Sequence, residues 1–236
     1  MKVAVHNIRA GYGAGADVLH GVSLVVEDSS AVGLIGANGA GKSTLLKVIS
    51  GFLQPRGGEV SIDDAPVTDL APHLLAERGV GYLMEGHSVF PGLTVEENLL
   101  LGTWSFRKDR SRVREAVEQA YAASPILAQK RKDRAGLLSG GQQRLLEIER
   151  LAMIRPSLII LDEPSLGLAP KLVREVYDRI AGLRRSGATI LIVDQSARQI
   201  CAVCDVVHVM RLGRIHMSGT AAEFGRRIED VVREFI

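Results

Sequence analysis

Short apolar runs punctuate the chain at residues 2–8, 22–26, 31–35, 59–62, 80–84, 158–161, 189–193 and 206–210. Several, such as Leu158-Ile159-Ile160-Leu161, are continuous and do not alternate. That is the pattern of strands buried on both faces of a parallel sheet. Turn-rich stretches, not helices, join the early runs, which predicts a small antiparallel sheet attached to an α/β core. Between residues 86 and 154 the pattern changes. Thr94-Val95-Glu96-Glu97 predicts a capping box, in which the Thr hydroxyl caps a helix and Glu97 reaches back three residues. Asn98 to Leu101 continues that helix, residues 109–123 predict a second one of mixed charge, and Ser139 begins a third. Residues 86–154 therefore read as a mostly helical insertion. Near the end, Ile228, Val231, Val232 and Phe235 stand at helical spacing and predict an amphipathic helix that docks on its own protein or on a partner.

A length of 236 residues suits one domain, with or without a subordinate lobe. Aromatic residues are only 4 %, so the core must be mainly aliphatic. The formal net charge is +2 and both signs are mixed along the chain, which argues against a nucleic-acid binder with its basic stripe. The locally basic stretch 129–134 reads as a solvated face. No apolar run reaches the length of a membrane span, and the opening Met1-Lys2-Val3-Ala4-Val5-His6 turns polar too early for a signal peptide. The expectation is a cytoplasmic protein that relies on another chain to span any membrane at which it works. Cys201 and Cys204 are spaced C-x-x-C, but no second cysteine pair completes a zinc site, so they read as neighbours on a helix. His6, His20, His73, His87, His208 and His216 form no spaced cluster.

The strongest local signal is Gly36-Ala37-Asn38-Gly39-Ala40-Gly41-Lys42-Ser43-Thr44, which satisfies G-x-x-x-x-G-K-[ST]. A buried strand precedes it, and a helix over 42–50, ending at Gly51, follows. Glycines let successive backbone N–H groups approach phosphate oxygens, and the helix N-terminus adds its positive dipole end. Lys42 is expected to reach the β- and γ-phosphates, and Ser43 to place its hydroxyl on magnesium. A second signal is the apolar strand that ends in Asp162-Glu163-Pro164. In open α/β sheets that end of the strands is where ligands bind. Asp162 is expected to hold magnesium, and Glu163 to polarise the attacking water as general base or orienting group.

These two signals fit many nucleotide hydrolases. Leu138-Ser139-Gly140-Gly141-Gln142 narrows the choice, because it closely resembles the signature motif of the ABC ATPase family and lies just upstream of the acid pair, as that family places it. The resemblance covers essentially the whole chain. It implies an α/β P-loop NTPase fold, the ABC cassette, with a RecA-like core, an antiparallel β subdomain and a helical subdomain. Residues 1–85 and 155–236 would be the core with its β subdomain, and 86–154 the helical, signature-bearing part of a single domain. It implies ATP and Mg2+ as ligands, with the signature residues Ser139, Gly140, Gly141 and Gln142 acting on the nucleotide held by a partner chain. Tyr12 takes the place of an aromatic that stacks on adenine, and Ser165-Leu166-Gly167-Leu168 that of a loop communicating between two sites.

Two positions depart from the general family pattern. Glu85 stands where the family usually has a glutamine; a carboxylate there would approach magnesium more strongly than an amide, or repel the phosphate if misplaced. Gln195 stands at the place of a catalytic histidine; it can donate a hydrogen bond to a γ-phosphate but carries no charge. With Leu93-Thr94-Val95-Glu96-Glu97-Asn98 and Glu163-Pro164-Ser165-Leu166-Gly167-Leu168-Ala169-Pro170, these departures resemble one ATPase subunit of branched-chain amino acid importers. That implies a second ATPase subunit, in a heterodimer or a homodimer, transmembrane permease subunits, indirectly a solute-binding protein, no nucleic acid, and a place on the inner face of the cytoplasmic membrane. Gln142 and Asp194 differ from that subfamily, which usually has Glu at both. Related importers of urea, amides or peptides, a soluble ABC ATPase acting on ribosomes or DNA, and a non-catalytic regulatory partner are the other readings; the intact Lys42, Asp162 and Glu163 argue against the last.

Overall fold

A computed structural model of the chain describes residues 1–86 and 88–226. The tail helix expected from Ile228 to Phe235 lies outside the described residues, as does His87. Along the chain run β1 (Val3–Ala10), β2 (Leu19–Val26), β3 (Ala31–Ile35), α1 (Lys42–Ile49), β4 (Gly57–Ile62), β5 (Ala65–Pro66), α2 (Pro72–Glu77) and β6 (Val80–Leu83). Four helices follow: α3 (Val95–Leu101), α4 (Arg110–Ala123), α5 (Pro125–Gln129) and α6 (Gly140–Ala152). Then come β7 (Leu158–Asp162), α7 (Pro170–Arg185), β8 (Thr189–Val193), α8 (Ala197–Val203), β9 (Val206–Arg211), β10 (Arg214–Thr220) and α9 (Ala221–Arg226).

The strands form two sheets. One is antiparallel in the order β2-β1-β4-β5. The other has the order β10-β9-β3-β8-β7-β6, parallel throughout except for β10 on its edge. All eight apolar runs are strands. The edge strand β10 has no apolar run to announce it: Arg214 to Thr220 reads Arg-Ile-His-Met-Ser-Gly-Thr and is half-exposed along its length.

The apolar runs are continuous because each parallel strand feeds two cores. Leu158 and Ile160 face the layer built with α1 and the antiparallel sheet, while Ile159 and Leu161 face α6, α7 and α8. The period of two within β7 thus serves both sides of the sheet. A third apolar cluster joins Val95 and Leu99 of α3, Val117 and Tyr121 of α4, Leu127 of α5 and Leu146 of α6. This is the helical part that the capping signals announced. The Thr94 box is present as expected, with Thr94 N–H donating to Glu97 Oε2 at 2.7 Å.

One turn ties the two sheets together. Gly213 lies between β9 and β10 at φ 72°. Its N–H donates to Ala40 O at 2.9 Å, and its carbonyl accepts from His20 N of β2 at 2.9 Å. A Cβ at this position would lie 1.9 Å from Val18 O, so only glycine fits.

Candidate nucleotide site

β3, β8, β7 and β6 are neighbours in the parallel sheet, so their C-terminal ends open at one edge. Each delivers a sequence-marked residue there: Gly36 after β3, Gln195 after β8, Asp162 and Glu163 at the end of β7, and Glu85 after β6. This is the place where open α/β sheets bind ligands.

The turn from β3 into α1 is held open by glycine. Gly36, Gly39 and Gly41 have φ values of 156°, 80° and 102°. A Cβ on Gly36 would lie 2.2 Å from Met210 O of β9. Lys42 is buried, and its ammonium donates to Gly36 O at 2.8 Å and Ala37 O at 3.1 Å. It also lies 3.8 Å from Glu163 Oε1. The lysine that marks the motif is therefore drawn back along its own loop toward the acid pair.

Ser43 Oγ donates to Asp162 Oδ1 at 2.9 Å, and Tyr82 OH donates to Oδ2 at 3.2 Å. Burial pushes the Asp162 carboxyl above the usual range; the two hydroxyls oppose this by stabilising the carboxylate. Burial, with Asp162 alongside, also raises the Tyr82 phenol strongly, so that it stays a donor. A hydroxyl and a carboxylate oxygen 2.9 Å apart offer the hard oxygen donors that suit Mg2+, which takes few protein ligands and completes its shell from phosphate and water. Among the described residues no three His, Cys, Asp or Glu side chains gather as a metal-holding group; Ser43 and Glu85 line the same cleft.

Glu163 occupies a left-handed backbone position, φ 46°, pinned by its N–H donating to Val193 O at 2.8 Å. Such a conformation in a non-glycine residue costs about 1–3 kcal/mol and persists only where surrounding structure holds it. Its carboxyl accepts from Gln195 Nε2 at 3.1 Å, and the same amide nitrogen lies 3.0 Å from Asn38 Oδ1. Burial raises the Glu163 carboxyl above its usual range; Lys42 opposes this, and Glu85 and Asp162 add to it.

Tyr12 is half-exposed, shares a 3.3 Å hydrogen bond with Thr44 Oγ1 and accepts from Lys47 Nζ at 3.4 Å. A cleft of about 530 Å³ runs from Tyr12 past Asn38, Lys42 and Ser43 to Glu85 and Glu163, a volume in the range of small-molecule sites. Tyr12, the glycine loop with Lys42 to Thr44, Glu85, Asp162, Glu163 and Gln195 are thus brought to one place.

The signature residues are not. Ser139 caps α6, its Oγ accepting from Gln142 N at 3.4 Å while Gln142 Oε1 accepts from Ser139 N at 3.1 Å. None of Ser139, Gly140, Gly141 and Gln142 lines the cleft. Cys201 and Cys204 form no disulfide, and burial raises both thiols, leaving them unreactive neighbours on and beside α8.

Sequence reasoning missed Tyr82, Lys47 and the Asp194–Ser165 contact. Tyr82 sits in an apolar strand, and only the β6–β7 register, Tyr82 beside Ile160, brings its hydroxyl to Asp162. Buried Asp194 accepts from Ser165 Oγ at 2.7 Å and Ser196 N at 2.9 Å, tying the turns after β7 and β8. Its carboxylate, next to Gln195, was the available signal.

Comparison with known proteins agrees with this geometry. The family model described as ABC transporter matches residues 19–166. The chain is 40 % identical over 204 residues to the high-affinity branched-chain amino acid transport ATP-binding protein BraG of Pseudomonas aeruginosa, covering 86 % of this chain and 87 % of that one. It is 34 % identical over 207 residues to the probable branched-chain amino acid transport ATP-binding protein LivF of Archaeoglobus fulgidus, covering 87 % of each. The lipopolysaccharide export system ATP-binding protein LptB of Escherichia coli is 35 % identical over 215 residues, 89 % of this chain and 87 % of that one. A solved nucleotide-free ATP-binding cassette from an ABC transporter superposes with a TM-score of 0.85 at 30 % identity, over 99 % of this chain and 96 % of that one. A glycine loop, an acid pair and a capped signature helix on this sheet are what such a cassette requires, and the chain belongs to the ABC transporter family as one of its ATP-hydrolysing subunits.

Proposed function

We infer that this chain couples ATP hydrolysis to the uptake of branched-chain amino acids across the cytoplasmic membrane, from a position on the membrane's inner face. The observation that supports this is the 40 % identity to the BraG protein, shared across 86 % of the chain. No helix among the described residues is long and apolar enough to cross a membrane, so permease subunits would supply the path. A second ATPase subunit would complete the site. The exposed N-terminus of α6, with Ser139 and Gly140, would meet the nucleotide held by the partner's loop, and the partner would return the same contact.

In this reading the loop amides and Lys42 hold the β- and γ-phosphates, and Tyr12 covers the adenine. Ser43 and Asp162 would hold Mg2+, which neutralises phosphate charge when bound. Glu163 accepts a hydrogen bond from the attacking water and orients it in line with the leaving group. Gln195 holds that carboxylate, and its second amide N–H, which donates to Asn38 of the glycine loop, would turn to the γ-phosphate when nucleotide binds. Residues 86–154 act as a lever that passes closure to the permease.

The test is uptake of labelled leucine by cells whose only copy of this protein carries Lys42→Ala, with protein abundance checked. Loss of leucine uptake at normal abundance is expected. Unchanged uptake, with other leucine importers deleted, overturns the substrate assignment. The relatives of LptB type make lipid export the next phenotype to score.

A further inference from the structure

Helix α6 carries two ion pairs whose acids are buried. Glu149 pairs with Arg179 of α7 at 2.6 and 2.8 Å, and accepts from Ser124 Oγ at 2.6 Å. That pair fixes the helix to its neighbours. The other pair is different in what it grips. Arg144 donates to Glu147 Oε2 at 2.9 Å, and their side chains are 4 % and 0 % exposed.

Both partners reach out of the helix to one loop. Arg144 also donates to Met84 O at 3.2 Å, just before Glu85. Glu147 Oε1 accepts from Ser88 N, on the far side of Glu85. Arg150, one turn on, donates to Ser88 O at 2.9 Å. The loop between β6 and α3 is therefore held on both sides of Glu85 by the helix that begins at Ser139.

Stability does not account for this pair. Replacing a buried ion pair with apolar residues of similar volume is often neutral or stabilising. What the pair supplies is a fixed relation between two functional segments. Glu85 lines the cleft and its charge is felt by both Asp162 and Glu163. Ser139, the N-cap of the same helix, does not line that cleft. We propose that Arg144 and Glu147 are positioning residues that lock Glu85 to the signature helix, so that the loop in one ATP site and the signature offered to the other move as one body.

The proposal rests on ATP hydrolysis by this chain, and wild-type turnover measured alongside separates the two: absent wild-type turnover would count against the ATPase assignment and not against the pair. The experiment compares three full-length variants by ATPase kinetics, nucleotide affinity and thermal unfolding. Arg144→Met with Glu147→Leu should stay folded with a Tm within a few degrees of wild type, since Met84 O and Ser88 N–H lose these partners, and hold KM for ATP within about twofold, yet lower kcat about tenfold, because a small misplacement at the site is enough to do so. Glu147→Gln, which keeps the shape and one acceptor, should fold and lower kcat by a smaller factor, about threefold. Glu149→Gln, on the same helix but gripping α7, should lower Tm and leave kcat unchanged. Wild-type kcat in both the double variant and Glu147→Gln would overturn the proposal, as would a kcat loss in Glu149→Gln matching theirs.

Discussion

The amide of Gln195 donates to the carboxylate of Glu163 across 3.1 Å, and it is a dipole that makes this contact, not a cation. The ionised carboxylate is the stronger acceptor, and the form that can take a proton from the attacking water. Burial holds Glu163 above the usual carboxylate range, and Gln195 pulls it partly back. The acid limb of the kcat profile should therefore lie above that of an ordinary glutamate. Gln195→Ala removes one group that favours ionisation, so its acid limb should shift to higher pH. A pH series of kcat for both proteins checks this, and a shift to lower pH would contradict the assigned role.

Glu163→Gln should lower kcat by about 10²-fold or more while ATP affinity stays within about twofold. The same variant carries a stability prediction. A folded-state pKa above the unfolded value means that the folded chain loses stability as pH rises from the ordinary carboxylate range through the raised value. Above that window the charge is a burden on the fold, and the neutral amide removes it. The nucleotide-free Glu163→Gln chain should then unfold a few degrees higher at neutral pH, about 2–4 °C if the gain is near 1 kcal/mol. Calorimetry at pH 5 and pH 8 should show the gap widening with pH.

Tyr82→Phe deletes one of two hydroxyls that hold Asp162. Leaving a buried carboxylate short of a donor costs about 1–3 kcal/mol. Thermal unfolding should fall accordingly, and half-saturation by Mg2+ in the ATPase assay should move to higher concentration. An unchanged Mg2+ response alongside a lower Tm would restrict Tyr82 to a structural role.

Gly36→Ala places a Cβ 2.2 Å from Met210 O, a contact only backbone movement can relieve. The expected loss is about 1–3 kcal/mol in stability. ATP affinity should fall with it, because the amides that follow position 36 shift too. Gly57→Ala, where a Cβ meets open space, is the matching control and should bind ATP normally.

Much of this could be read in the chain itself. Five of the eight strands, β3, β6, β7, β8 and β9, were visible because parallel strands are buried on both faces and leave an almost unbroken apolar run, and β1, β2 and β4 because apolar residues recur along one buried face. The glycine loop and the acid pair were visible because phosphate binding demands glycine and carboxylate at fixed points after such runs. Features held only by tertiary pairing were silent. β10 is stabilised by its ladder with β9, not by its composition, and short α2 and α5 begin at prolines, Pro72 and Pro125, that read equally well as loop residues. Tyr82, Arg144 and Glu147 became legible only when register and burial were known. In a sequence Arg144 and Glu147 look like the solvated charges of any helix.

The turn at Gly213 has a mechanical consequence. This single residue joins β2 of one sheet, the phosphate loop at Ala40 and the β9–β10 corner of the other sheet. With three segments sharing one keystone, the sheets cannot scissor against each other without breaking the grip on phosphate. Any bending would fall to the outlying helices, which pack around an apolar cluster of their own. In the proposed transporter the stroke toward a permease would then fall to the helical part, which contributes no residue to the cleft.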